Sequence, residues 1–451
     1  MKSSKLRILS ILMVGVITLA GCSSAPPNGE KQTTEQQVTA GKRDDTTLTV
    51  YIPSWMDRTY LLPGLKTVAF EYESRTNADI DLIDLYTQYE PESAKKLSVE
   101  LMSGKGPDIM INPGQCFSTL DVHKVMASGV FADLGPLLEL EGKGDRYFTK
   151  VLASGKYGDE QLIVPLFFSI RCFVSTRDVL EKNHFDINQC GTYDGFLNEL
   201  GGCLNSATAP PPLIYEQRCQ FLYLSDSIYD PPVIDYNNRT VDFSRPGVRE
   251  TYEFTKDLME RYPLSPYGEN YRTPEAEDGA GILKSGKALF LANDECGGFG
   301  TLNSLYHINI RIEENDQLVM TALRRASDNS VITYDKFSIA VNRNSRNLEA
   351  ATEFIEYLLS DTVQCNHFQA HLPVYKQGVE ARIQSFLAIS DLPESILNDY
   401  RSVANDVGSV QFNFQFPAMM YELMEPYYLG KESYESCISK VQNRFSIFVD
   451  E

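Results

Sequence analysis

The sequence predicts an α/β fold divided between two lobes, and three observations carry that prediction. Apolar, β-rich runs alternate along the chain with stretches whose hydrophobic residues recur at helical spacing. The spacing of the first five such elements implies parallel strands joined by right-handed helical crossovers. At 451 residues the chain is also too long for a single core to be the default.

The elements follow in order. Thr47 to Ile52 is an apolar strand, and Leu61, Leu62, Leu65, Val68, Ala69 and Tyr72 then mark one face of a helix. Ile80 to Leu85 is a second strand. Pro91 opens a second helix with Ala94, Leu97 and Leu101 on one face, and Gly104 and Gly106 end it. Asp108 to Ile111 is a third strand. In parallel sheets of this kind, ligands sit beyond the carboxyl ends of the strands. The loops there carry Trp55 and Arg58, then Tyr86, Gln88 and Tyr89, then Asn112 and Gln115. Such aromatic, amide and guanidinium groups suit a polar small ligand.

Charge narrows the function. With 41 basic and 61 acidic residues the net charge is −20, which argues against a sequence-independent grip on nucleic acid or on anionic lipid. Hydrophobic residues at 43% and charged residues at 23% fit a folded soluble body.

The amino terminus predicts export. Lys2, Lys5 and Arg7 precede an apolar run from Ile8 to Leu19, too short to span a bilayer but suited to a secretory signal. Leu19-Ala20-Gly21-Cys22 resembles the lipobox of bacterial lipoproteins, which implies cleavage after residue 21 and lipidation of Cys22. Residues 22–45 hold almost nothing apolar and read as a flexible linker. No later segment is apolar enough to cross a membrane. The expected location is extracytoplasmic, tethered to the cell membrane by lipid.

Nine cysteines include Cys22. The other eight are scattered without a CxxC pair, so buried free thiols are expected for most, with one or two bridges possible and no zinc site.

The order of several short motifs resembles a known family. Ser103-Gly104-Lys105-Gly106-Pro107-Asp108-Ile109 followed by Gly129 to Leu134 is similar to the "SGxxPDI … GxxxDL" run of extracellular solute-binding proteins of ABC importers, specifically the maltose-binding-protein-like family. Tyr157-Gly158-Asp159-Glu160-Gln161 through Val164-Pro165 resembles the strand by which that family first crosses between lobes. Gly286 to Phe290 resembles "GkaAm", Asn344 to Asn347 with Phe354-Ile355 resembles "knSknkeaAxeFi", and Leu372-Pro373-Val374 resembles the "lPv" turn. The likeness covers nearly the whole mature chain. Many of these positions also serve packing: Leu348, Ala351, Ile355, Leu358 and Leu359 share one helix face, as do Tyr434, Cys437, Ile438, Val441 and Phe445.

The resemblance implies a two-lobed periplasmic-binding-protein-like fold, each lobe a mostly parallel sheet flanked by helices, closing on ligand by hinge bending. The crossings are expected near Val164 to Ser169, Leu318 to Leu323 and His371 to Val374. Residues 46–164 with 324–370 then form the N-terminal lobe, and 165–323 with 371–451 the C-terminal lobe. Second-lobe candidates are Phe168 and Arg171 past the first crossing, and Asn293, Asp294, Glu295 and Phe299 after a strand Ala288 to Ala292; Tyr334 and Asp335, before a strand Phe337 to Val341, are expected at a loop open to the cleft. The expected ligand-binding set is therefore Trp55, Arg58, Gln88, Asn112, Gln115, Phe168, Arg171, Asp294, Glu295, Phe299, Tyr334 and Asp335. Pyranose rings pack their C–H faces on aromatic rings and pair their hydroxyls with carboxylates, amides and guanidinium groups. Where sugar binders often carry an aromatic residue, this chain has Cys296-Gly297-Gly298 before Phe299, which departs from the pattern.

The reading is a lipid-anchored, monomeric receptor that captures a solute, a sugar or oligosaccharide, and presents it to ABC permease subunits. It needs no cofactor, metal or nucleic acid. Against it stand an extracytoplasmic glycoside hydrolase, which needs only two placed carboxylates, and a ligand-binding accessory of a membrane sensor. No GxSxG, HExxH or phosphate loop is present. His367 and His371 have i, i+4 spacing near Cys365, but no third ligand follows at matching spacing.

Overall fold

The computed structural model describes residues 46–53, 56, 59–85, 90–117, 121–139, 144–206, 233–236, 238–245, 247–261, 279–286, 288–296, 299–312, 316–412 and 416–450. The signal sequence, Cys22 and the linker lie outside the described residues, as do Trp55, Arg58, Tyr86, Gln88 and Tyr89.

Strand β1 (Thr46–Ile52) leads into helix α1 (Leu61–Glu73), β2 (Ala78–Asp84), α2 (Glu90–Met102) and β3 (Ile109–Ile111). The strands pair in the order β2-β1-β3, both ladders parallel, as the crossover argument requires. The six α1 residues named from periodicity are all buried, as are Ala94, Leu97 and Leu101 of α2. Gly104 and Gly106 end α2 with φ of +72° and +100°, a left-handed exit open to residues without a Cβ. There Gly104 N–H donates to Leu101 O at 3.0 Å and Lys105 N–H to Glu100 O at 2.8 Å.

The hairpin β4 (Lys156–Tyr157) and β5 (Glu160–Gln161) turns at Gly158 and feeds β6 (Val164–Thr176), a thirteen-residue strand buried along nearly its whole length. A small hairpin of β7 (Ile234–Asp235) and β8 (Thr240–Val241) precedes β9 (Leu291–Cys296) and β10 (Leu318–Ala322). Strands β11 (Val331–Val341), β12 (Leu372–Pro373) and β13 (Val407–Gln411) complete the set. The main sheet runs β10-β6-β11-β3-β1-β2, with β9 and β12 also on β6 and β13 also on β11.

Two long strands, β6 and β11, carry most of the sheet's pairing. The start of β6 pairs with the middle and end of β11, and its far half pairs with β9 and β10. The start of β11 pairs with β13 in parallel, and its end with β3 antiparallel. Within the expected second crossing, Leu318 to Leu323, residues Leu318 to Ala322 pair with residues 172–176 of β6. Both long strands are apolar without alternation, the pattern of strands covered on both faces.

The motifs that suggested the family dock against each other. The Asp108 carboxylate accepts from Thr49 N–H and Oγ1, both at 2.9 Å, and from Ser345 Oγ at 2.6 Å, while Asn342 Nδ2 donates to Lys105 O at 2.9 Å. They seal one end of the first sheet.

Candidate functional site

The crossing strands meet at one position. Phe168 of β6 lies opposite Asp335 of β11 on one side and Leu372 of β12 on the other, so three crossing segments run abreast there. Phe167 and Phe168 face opposite ways. Phe167 packs on Phe368 at 4.8 Å and Phe337 at 6.1 Å, and Phe168 meets the edge of Phe148 at 5.7 Å. Phe168 has no exposed surface in this structure.

Asn112 is buried as well. It follows β3 with φ +45° and is 1% exposed. Its Nδ2 donates to Lys336 O at 3.0 Å and its Oδ1 accepts from Ser338 N–H at 2.8 Å. The amide completes the ladder where β11 bulges, which ties β3 to the crossing. Gln115, three residues on, is half-buried, and its Oε1 has no hydrogen-bond partner among the described residues.

Tyr334 and Asp335 are placed within β11, not in a loop before it. Arg171 of β6 is half-buried and lays its guanidinium over the Tyr334 ring, 4.4 Å from the centroid. Asp335 is 1% exposed; Ser338 Oγ donates to its Oδ2 at 2.6 Å, and its Oδ1 has no partner among the described residues. Burial pushes its carboxyl up to about 7 against a smaller opposing pull from Ser338. Ser169 Oγ, one residue past Phe168, is likewise buried without a partner among the described residues.

Asp294 and Glu295 also fall inside a strand. The β6–β9 register shifts between Ile170/Cys296 and Cys172/Asn293, so their backbone lies opposite Arg171 at the irregularity. The strand runs Leu291–Cys296 where the sequence placed Ala288 to Ala292, because β9 extends along β6. Phe299 opens the helix Phe299–Asn309. The structure thus gathers Arg171, Tyr334, Asp335, Asn112 and Gln115 about the crossing, with the Asp294–Glu295 backbone alongside.

Other chemistry is accounted for elsewhere. His367 Nε2 lies 3.2 Å from Glu71, and no metal-holding group of His, Cys, Asp or Glu occurs among the described residues. Cys116, Cys172, Cys190, Cys203, Cys365 and Cys437 are free thiols. An open cavity of about 360 Å³ lies near Lys150, Arg324, Asp328 and Asp406. None of the expected site residues lines it, and those charges already pair, Lys150 with Asp328 at 3.2 Å and Arg324 with Asp406 at 2.8 Å. No described helix is long and apolar enough to cross a membrane.

No protein-family model matches the chain, and no curated protein matches it in sequence. Solved structures do match in fold. The sugar-binding protein MalE from Xanthomonas citri aligns with a TM-score of 0.60 at 13% identity, over 90% of this chain and 98% of its own. The GacH receptor of Streptomyces glaucescens, solved unliganded and with acarbose, aligns at 0.56 and 15% identity, over 91% and 100%. The ABC substrate-binding protein Lmo0181 from Listeria monocytogenes, solved with cycloalternan, aligns at 0.55 and 12%, over 90% and 100%. The fold is thus the two-lobed periplasmic-binding-protein fold seen in sugar-binding proteins of ABC transporters.

Proposed function

We propose that this protein is a lipid-anchored receptor that captures a sugar or oligosaccharide outside the cell and delivers it to an ABC permease. The observation that carries the reading is the Arg171–Tyr334 pair, a guanidinium and a ring contributed by two different crossing strands at 4.4 Å. A group so placed couples solute contact to lobe movement, because any shift at the crossing moves both strands. The neighbours' sugar ligands point to the solute class. Trp55, Arg58, Gln88, Gln115, Asp294, Glu295 and Phe299 complete the proposed ligand set with Arg171, Tyr334 and Asp335. Residues 46–164 with 324–370 and 165–323 with 371–451 are the proposed lobes. Cleavage before Cys22 would leave a lipidated, monomeric body on the outer face of the membrane, acting without catalysis.

Ligand that touches both lobes adds to the stability of the closed state over the open one. The test is a thermal-shift screen against sugars, oligosaccharides, polyols and amino acids. A ligand at a hundredfold its dissociation constant adds about 2.7 kcal/mol, which is several degrees in melting temperature. A sugar that shifts the melt and is recovered unchanged supports the receptor; a sugar consumed during incubation makes the protein a hydrolase, and silence across the sugars removes the solute assignment.

A further inference from the structure

The two lobes touch again through residues that no crossing strand carries. Helix Val122–Ala127 belongs to the lobe of β1–β3: the segment after it is held by Ala132 N–H donating to Val341 O at 2.9 Å and Arg343 N–H to Val130 O at 2.9 Å. Tyr236 follows β7 in the other lobe. Its hairpin is fixed to helix Tyr434–Asp450 by Gln442, whose Nε2 donates to Val241 O at 2.6 Å and whose Oε1 accepts from Phe243 N–H at 3.0 Å. Across this division the His123 and Tyr236 rings stack at 3.7 Å between centroids with an interplanar angle of 11°. Behind Tyr236, Phe416 lies parallel at 6.5 Å and sets its edge against Phe445 at 5.1 Å and Phe448 at 5.2 Å. Beside the stack, Lys124 Nζ sits 4.7 Å from the centre of the Phe448 ring.

The His123 ring is positioned from its own lobe. Asp121 caps the helix by accepting His123 N–H at 2.9 Å, and the same carboxylate oxygen lies 3.2 Å from His123 Nδ1. The ring is therefore aimed by its own lobe and meets a partner that the opposite lobe supplies. Two consecutive residues engage the far lobe in two ways, one by stacking and one by cation–π attraction. These are short-range contacts, so a small opening of the lobes abolishes both.

We propose that His123 and Lys124 on one lobe, with Tyr236, Phe416 and Phe448 on the other, form an aromatic latch that holds the lobes closed without solute. What the closure serves rests on the receptor reading above; the latch itself is a property of the empty protein. Loss of one ring is expected to shift the closed-to-open ratio by about two- to tenfold toward open.

Small-angle X-ray scattering of the full protein without any sugar tests it. The unaltered protein is expected to scatter as the closed form. His123→Ala and Tyr236→Ala should each raise the radius of gyration, and the double variant should add nothing to the larger single effect. Tyr236→Phe, which keeps the ring, should scatter like the unaltered protein. If Tyr236→Ala loses its far-UV circular dichroism, His123→Ala decides alone, since that side chain is 20% exposed. An unaltered protein that already scatters as an open form, or alanine variants indistinguishable from it, would overturn the latch. Failure of every sugar to bind would remove the receptor reading and leave the scattering result standing.

Discussion

Asp335 lies directly across the β6–β11 ladder from Phe168, buried at the position where β11, β6 and β12 run abreast. Burial raises this carboxyl to about 7, while an unfolded Asp titrates near 4. Between those values the native chain keeps a proton that the unfolded chain has released. Stability from this group is therefore complete below about pH 4 and falls as pH rises toward 7. The total is on the order of 3–4 kcal/mol at most. Asp335→Asn, which keeps the shape and cannot ionise, should match the unaltered protein in urea unfolding at pH 5 more closely than at pH 8, where the variant should be the more stable. Identical pH profiles for the two proteins would show that Asp335 ionises freely in the fold.

The Asp108 carboxylate joins β1 to the segment after β11 by accepting from Thr49 and Ser345. Asp108→Ala leaves those donors without their partner, at a cost of about 2–4 kcal/mol. The melting temperature should fall by several degrees, and the shift produced by a bound sugar should stay the same. A variant that melts normally but no longer responds to sugar would place Asp108 in the binding site.

Cys116 and Cys190 are buried, and burial pushes each thiol up to about 12. A thiolate is the nucleophile in alkylation, so both should resist iodoacetamide at pH 8 in the native protein and react in urea. Peptide mass spectrometry reads both sites at once. Rapid native labelling of either one would mean that its surroundings open far more readily than a core should.

What the sequence disclosed and what it withheld have a common physical origin. Helical and strand periodicity located α1, α2 and the parallel pairing of the first strands, because the pattern of those elements repeats within a few residues. The length of β6 and β11 is not legible, since a strand covered on both faces shows no alternation to mark where it stops. That is why Tyr334 and Asp335 read as loop residues beside a strand that in fact contains them, and Asp294 and Glu295, polar residues at the end of an apolar run, likewise lie within β9. Asn112 and Phe168 look like ligand groups by residue type alone. Only the fold shows the structural part they also play, Asn112 bonding to β11 and Phe168 lying opposite Asp335. The His123–Tyr236 stack joins residues more than a hundred positions apart, and no local pattern announces it.

Arg171 provides the sharpest test of the proposed site. Its half-buried guanidinium lies over the ring of Tyr334, which stands on the neighbouring strand β11. Arg171→Ala removes a planar multi-donor group and should weaken binding of whichever sugar raises the melting temperature by at least about tenfold, or 1.4 kcal/mol. Arg171→Lys keeps the charge without the fork, so it should recover only part of that loss. The melting temperature without sugar should move by less than a few degrees in both variants, because the pair contributes only about 1 kcal/mol at a partly exposed site. Trp55→Ala, in the loop that the sequence places after the first strand, should behave like Arg171→Ala. Unchanged affinity in the Arg171 variants would remove the crossing from the site, and a Trp55 variant that unfolds would mark that residue as an anchor of its loop.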